Sequence, residues 1–149
     1  MQTRPLVRAI RAGDRADWAR LWTGYLDFYD TRLPQTAYGI LFARLLAPGG
    51  DGPFGLLAEA GGRPVGLVHF LLHAHCWRPE GAVYLQDLFT DPAARGQGVG
   101  RALIEAVYGA ADAAGRPYVY WLTQTGNATA RELYDRIGAA TDFIRHVRS

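Results

Sequence analysis

Lysine is absent from the 149 residues: all 16 basic side chains are arginines, set against 14 acidic ones for a net charge of +2. That balance, with the arginines spread along the chain, argues against a dense nucleic-acid footprint. The missing lysine also excludes a P-loop, whose Gly-Lys-Ser/Thr ending needs an ammonium at the phosphates. A single cysteine, Cys76, leaves nothing for an intramolecular disulfide or a Cys-rich metal site. Cys76 itself is expected as a small buried residue on a strand. No apolar run reaches the roughly 18 residues that a spanning helix needs. The opening MQTRPLVRAIRAGD is broken by arginines and an aspartate and lacks the apolar core of a signal peptide. The expectation is a cytoplasmic protein with no membrane or nucleic-acid partner.

What is present is 49% hydrophobic and 20% charged residues, the composition of a folded globular chain. The length suits one domain spanning residues 1–149. Leu6 to Ile10 reads as a strand ended by Ala12-Gly13, and Asp14 is placed to cap the helix that follows. Trp18, Leu21, Trp22, Tyr25, Phe28 and Tyr29 recur at helical spacing. A second helix is expected from Thr36 to Leu46, before Pro48-Gly49-Gly50. Phe54–Ala60, the turn Gly61-Gly62 and Val65–Cys76 form a hairpin pattern, and Ala82–Thr90 is the next strand. Gly98–Ala114 reads as a helix stopped by Gly115 and Pro117. Tyr118–Thr123 is a strand, Asn127–Ile137 a helix, and Phe143–Arg148 a last strand. Such an order predicts a mixed α/β fold with helices packed on a central sheet.

Between a predicted strand and helix lies Arg95-Gly96-Gln97-Gly98-Val99-Gly100. A dinucleotide fingerprint would need glycine at 101 or 103; Arg101 and Leu103 stand there, so both registers fail. Two readings remain. One is a tight strand-to-helix turn. The other is an anion cradle, in which the unpaired amides of Gln97 to Arg101 converge and Arg95 and Arg101 add charge. Further on, Asn127 and Tyr134 lie two helical turns apart on one face, with the small Ala130 between them leaving room for a chain to pass. Each has a plainer reading: Asn127 as a helix N-cap and Tyr134 as a core aromatic. His69, His73 and His75 alternate onto one strand face, as readily a polar surface as a metal site; no metal is expected.

RGQGVG at a helix start, then a strand, then Asn127-x-x-Ala130-x-x-Leu133-Tyr134, resembles the GNAT superfamily of acetyl-CoA-dependent N-acetyltransferases. Arg95, Gly98 and Gly100 match its Q/R-x-x-G-x-G/A pattern. LWTGYLDFYD, YLQDLFTDP, VYWLTQTGN and ARELYDRIGA further resemble a branch of small enzymes similar to polyamine, thialysine and histone or D-amino-acid acetyltransferases. The resemblance implies a mostly antiparallel mixed sheet of about six or seven strands flanked by about four helices, splayed between the fourth and fifth strands.

It further implies acetyl-CoA as cosubstrate. Leu88, Phe89 and Thr90 would pair with the pantetheine arm. Arg95 and Gly96, with the amides of Gln97, Gly98, Val99, Gly100 and Arg101, would hold the diphosphate. Asn127 would hydrogen-bond the arm beside Ala130, and Tyr134 would set its hydroxyl near the thioester sulfur. Tyr25, Tyr29, Asp30, Gln86 and Asp87 would form the acceptor pocket. Asp87 is the best-placed carboxylate to take the amine's proton, ahead of Glu59 and the histidines. Polyamine-acetylating relatives read Leu-Glu-Asp where this chain has Leu85-Gln86-Asp87, which weakens the case for a polycationic acceptor. The acceptor stays open among a small amine, an amino acid and a protein lysine. A homodimer is also implied. A catalytically silent acyl-CoA-binding or sensory module is the alternative. An unperturbed tyrosine (~10) lies above a thiol (~8.5), so full proton transfer from Tyr134 to a thiolate runs uphill by roughly 2 kcal/mol.

Overall fold

The computed structural model describes residues 4–149. Its strands are β1 (Leu6–Ala9), β2 (Phe54–Ala60), β3 (Arg63–His75), β4 (Arg78–Thr90) and β5 (Val119–Tyr120). Its α-helices are α1 (Arg15–Phe28), α2 (Gln35–Leu46), α3 (Val99–Ala113) and α4 (Ala128–Ile137). The strands form one sheet in chain order. β1 to β4 run antiparallel to their neighbours, and β5 joins β4 in parallel.

Alternation along the strands divides the core into two layers. Val68, Phe70, Val83 and Leu85 pack against Val99, Leu103, Ile104 and Val107 of α3. Leu57 and Leu67 face the other way, against Trp18, Leu21 and Trp22 of α1 and Phe42 and Leu45 of α2. Each such side chain, removed from water, contributes about 1.5–3 kcal/mol.

A bulge in the middle of β4 breaks the alternation where it matters for the site. His69 opposes Asp87 but Phe70 opposes Leu85, which leaves Gln86 as an extra residue on β4. A bulge of this kind swaps the two faces of the strand beyond it. Leu85 and Leu88 therefore both meet the α3 layer, while Phe89 turns to the α1 layer and Asp87 reaches His69 there. On the other side of β4, pairing with β5 consists of Val83 with Val119 and Tyr84 with Tyr120. Past that point the strands part, and Leu88–Thr90 keep β3 on one side and an unpaired edge on the other.

Five features of the sequence reading are corrected. The sheet has five strands among the described residues, not six or seven. Phe143–Arg148 forms no strand: no edge of the sheet pairs with it, and Phe143 and Ile144 are 79% exposed. β5 is shorter than Tyr118–Thr123, because β4 leaves it after Tyr120. Asp14 stands at the start of α1 without capping it through its side chain. Its two oxygens instead accept from the Arg8 guanidinium at 2.8 Å each, and one also accepts from the Arg11 amide. That guanidinium holds Asp14 below the usual carboxylate range, and it reaches Glu59 on β2 as well. Cys76 is exposed in the turn between β3 and β4, not buried on a strand.

Two glycines let the layers close. A Cβ at Gly24 of α1 would fall 2.6 Å from Phe89 Cζ, and one at Gly66 of β3 would fall 2.6 Å from Val99 Cγ1. Gly66→Ala is expected to lose about 1–3 kcal/mol in urea unfolding. Gly109→Ala, with open space around it in α3, should lose nothing and gain up to about 1 kcal/mol. Equal stabilities for the two variants would show that α3 does not sit tightly on Gly66.

Candidate active site

The parting of β4 and β5 opens a cavity of about 540 Å³. Its walls bring together most of the residues singled out in the sequence. Leu88, Phe89 and Thr90 come from the free edge of β4; Arg95, Gly96, Gly98, Val99, Gly100 and Arg101 from the loop and first turn of α3; Asn127, Ala130 and Tyr134 from α4; Tyr25 and Tyr29 from α1. Gln97 lies exposed in the loop, outside that wall. Asp30 is exposed in the turn after α1, at a φ of +50°, and Gln86 is exposed at the bulge. Neither lines the cavity. Asp87 also stands behind the wall, with 10% of its side chain exposed.

The loop is anchored before it turns. Asp91 accepts from the Ala93 amide and from Arg20 Nη1 of α1 at 2.9 Å. Arg20 also donates to the Pro64 carbonyl, so α1, β3 and the end of β4 meet at one guanidinium. Gly96 and Gly98 both adopt φ of +79°, the left-handed region where glycine is unstrained. Gly98 is the residue that starts α3. The amides of the helix's first turn have no carbonyl of their own helix to meet, and the helix dipole adds partial positive charge there. Arg95 and Arg101 lie exposed beside them, with Arg101 shared with Glu105 at 2.8 Å. Gly100 admits Leu133 of α4, whose Cδ2 would stand 3.3 Å from a Cβ there. The cradle and the helix carrying Tyr134 are thus packed together.

Asn127 caps α4, its Oδ1 accepting from the Ala130 amide at 3.3 Å. The capping reading is therefore met, and it leaves the Asn127 amide N–H groups for another partner. Tyr134 meets Trp121 edge to face at 5.6 Å. Burial, with Tyr29 nearby, pushes its hydroxyl up to about 12, so Tyr134 stands as a neutral donor at physiological pH.

At the opposite end the wall is aromatic. Trp22 lies flat on Tyr25 at 5.1 Å and Tyr25 leans on Tyr29 at 5.0 Å. Tyr84 stacks on Tyr120 at 4.9 Å. The Tyr25, Tyr29 and Tyr84 hydroxyls are all raised, first by burial and then by the charge of Asp87. A single carboxylate thus governs the electrostatics of this end. Asp87 is in turn held by His69 Nδ1 at 3.0 Å, and His69 Nε2 by Trp18 Nε1 at 3.0 Å.

The three histidines do not act together. His69 is buried at Asp87, while the half-buried His73, further along β3, bonds the Tyr120 hydroxyl at 2.7 Å. No group of three or more His, Cys, Asp or Glu side chains among the described residues is arranged to hold a metal ion. Glu59 belongs to the Arg8 pair on β2. The sequence reading passed over Thr129 and Arg136 and gave Leu133 no role beyond its place in the motif; all three also line the cavity. Thr129 and Arg136 stand about 100° or more around α4 from the face of Asn127, Ala130 and Tyr134, so that spacing did not point to them. Nothing in the sequence marked Trp18 as a donor to a buried histidine.

Comparison with known proteins agrees along the length of the chain. The model of the acetyltransferase (GNAT) family matches residues 17–139. The D-amino-acid N-acetyltransferase HPA3 of Saccharomyces cerevisiae (strain ATCC 204508 / S288c) is 38% identical over 148 residues, covering 98% of this chain and 91% of the relative. Among solved structures, that of AAC(6')-Iy with a bisubstrate analog, CoA-S-monomethyl-acetylneamine, superposes with a TM-score of 0.84 at 17% identity and 99% coverage of both chains. A ribosomal-protein-alanine N-acetyltransferase from Brucella melitensis biovar Abortus 2308 superposes with a TM-score of 0.75 at 21% identity, covering 97% of this chain and 98% of the other. At such identities the two structures speak for the fold.

At Gly98, as at Gly96, an L side chain at the observed φ of +79° costs roughly 1–2 kcal/mol. Gly98→Ala should lower urea stability by about that much, although open space surrounds the site. An unchanged midpoint would mean that the loop readily takes another conformation.

Proposed function

We propose, for a chain that belongs to the acetyltransferase (GNAT) family, that the cavity between β4, α3 and α4 is where an acetyl group passes from acetyl-CoA to a primary amine. The observation that carries this reading is the unpaired edge of Leu88–Thr90, which runs along one cavity from the glycine loop toward Tyr134. The residues fit the cosubstrate. Two left-handed glycines keep side chains out of the cradle, and the first-turn amides of α3 suit a diphosphate. The free N–H and C=O groups of β4 suit an amide-bearing arm, and the remaining donors of Asn127 stand beside it.

Bound acetyl-CoA supplies the acetyl group as a thioester. The chain's own residues do the rest. Asp87, behind Tyr25, draws the acceptor's ammonium to the aromatic end and takes its proton by way of water. The freed amine then attacks directly, with no acyl-enzyme. Tyr134 donates a hydrogen bond to the departing sulfur. Raised to about 12, it lies about 3.5 pH units above a thiol near ~8.5, so handing over its proton would cost roughly 5 kcal/mol. Tyr134 therefore keeps the proton and stabilises the thiolate through the bond. HPA3 is named for D-amino acids, and by that likeness amino acids of both hands lead the panel of acceptors to test.

We also infer a homodimer. Phe143, Ile144 and Val147 are exposed on a strand-patterned segment that finds no edge in its own chain, and β5 leaves an edge free. A second copy answers both. Light scattering at micromolar concentration should give twice the mass of one chain, and Phe143→Asp with Val147→Asp should halve it. A wild-type monomer would remove the dimer.

For the chemistry, Tyr134→Phe should lower kcat about 10²-fold while acetyl-CoA binding by calorimetry is retained. Turnover equal to wild type at saturating substrate takes Tyr134 out of the mechanism. Acetyl-CoA binding without thiol release on any amine would return the silent acyl-CoA-binding module.

A further inference from the structure

The buried polar chain on the α1 side of the sheet has a direction dictated by its atoms. Trp18 Nε1 carries a proton and no lone pair, so it can only donate. It lies 3.0 Å from His69 Nε2, which must present its lone pair. A neutral imidazole then carries its one proton on Nδ1, and Nδ1 lies 3.0 Å from Asp87 Oδ2. Trp18 is fully buried and His69 is 2% exposed, which leaves little room for water to replace either partner. Trp22 packs edge to face on the His69 ring at 4.9 Å and resists its rotation. The one-residue bulge at Gln86 sets Asp87 opposite His69 in the first place.

We propose that Trp18 and His69 are positioning residues for acetyl transfer: together they clamp Asp87 by one oxygen, Oδ2, and so hold its carboxylate behind Tyr25, from where it serves the acceptor's ammonium by way of water. This rests on the reading of Asp87 given above. The proton balance is simple. The ammonium gives one proton toward Asp87, the amine nitrogen bonds the acetyl carbon as the carbon–sulfur bond breaks, the second proton that this nitrogen sheds passes through water to the departing thiolate, and Asp87 returns its own proton to solvent when the product leaves. His69 keeps its Nδ1 proton throughout, because Trp18 occupies the only other nitrogen.

Two substitutions separate positioning from packing. The amide of His69→Gln can still accept from Trp18 and donate to Asp87; His69→Leu can do neither. His69→Leu should reduce kcat/KM for the amine about 10–100-fold, with the KM for acetyl-CoA unchanged, and His69→Gln should recover most of that loss. Asp87→Asn should lose at least as much, and His69→Leu added to Asp87→Asn should lose nothing further. Equal damage from Gln and Leu, or losses that multiply in the double variant, overturns the proposal. Where His69→Leu does not fold, Trp18→Phe, which deletes the N–H and keeps an aromatic ring, is placed in the same cycle with the same expectations. An Asp87→Asn enzyme as fast as wild type overturns this inference while leaving N-acetyl transfer standing. A wild-type chain that binds acetyl-CoA and acetylates no amine takes down both.

Discussion

The ladder between β4 and β5 stops after Tyr84 and Tyr120, and the features of the cavity follow from that stop. Unpaired backbone is costly when it is buried away from water. An interior strand edge therefore persists only where something else can reach its N–H and C=O groups. β4 meets this condition by running its last residues along an open cavity, held on the far side by the register of β3. The same parting lets α4 lie across the gap, with Leu133 against Gly100 and Tyr134 against Trp121. A strand that stayed paired to its end would leave no gap for the helix to cover.

The bulge at Gln86 works on the other face. Without the extra residue, Asp87 would share a face with Leu85 and enter the apolar layer under α3. With it, Asp87 meets His69 and stands beneath the aromatic stripe of α1. Burying a carboxylate there is tolerable because a donor meets it. The cost of that donor is passed back through His69 to Trp18, where it ends on an indole N–H that needs an acceptor in any buried setting. Three groups that would each be unfavourable alone satisfy one another.

Elements that depend on local chemistry could be read from the sequence. β2 matches residue for residue, and α3 ends where Gly115 ends it. RGQGVG opens its helix as the glycine pattern demands, and Asn127 and Tyr134 share a cavity as their spacing requires. Elements that depend on a partner could not. Phe143–Arg148 alternates like a strand, but alternation only describes a face and supplies no edge to pair with. β5 is short because of where β4 goes, which is a property of β4. His69 looks like its neighbours His73 and His75 in a period-two pattern, yet a bulge on the opposite strand places a carboxylate across from it alone. Asp14 has the residue type of a cap, but the Arg8 guanidinium on the preceding strand, β1, competes for its oxygens and wins with paired, charge-assisted bonds.

The two ends of the cavity use burial for opposite purposes. At Tyr134 burial raises the hydroxyl and stops it from acting as an acid in the full sense. The same low dielectric strengthens a hydrogen bond to a charge that develops beside it. For the thiolate of the proposed reaction, a phenol that keeps its proton would be the better fixed dipole. Asp87 is buried beside a histidine that Trp18 fixes as a donor. In the proposed reaction the first group keeps its proton and the second accepts one. The space between them, lined by Tyr25 and Tyr29, is where that proposal puts the acceptor.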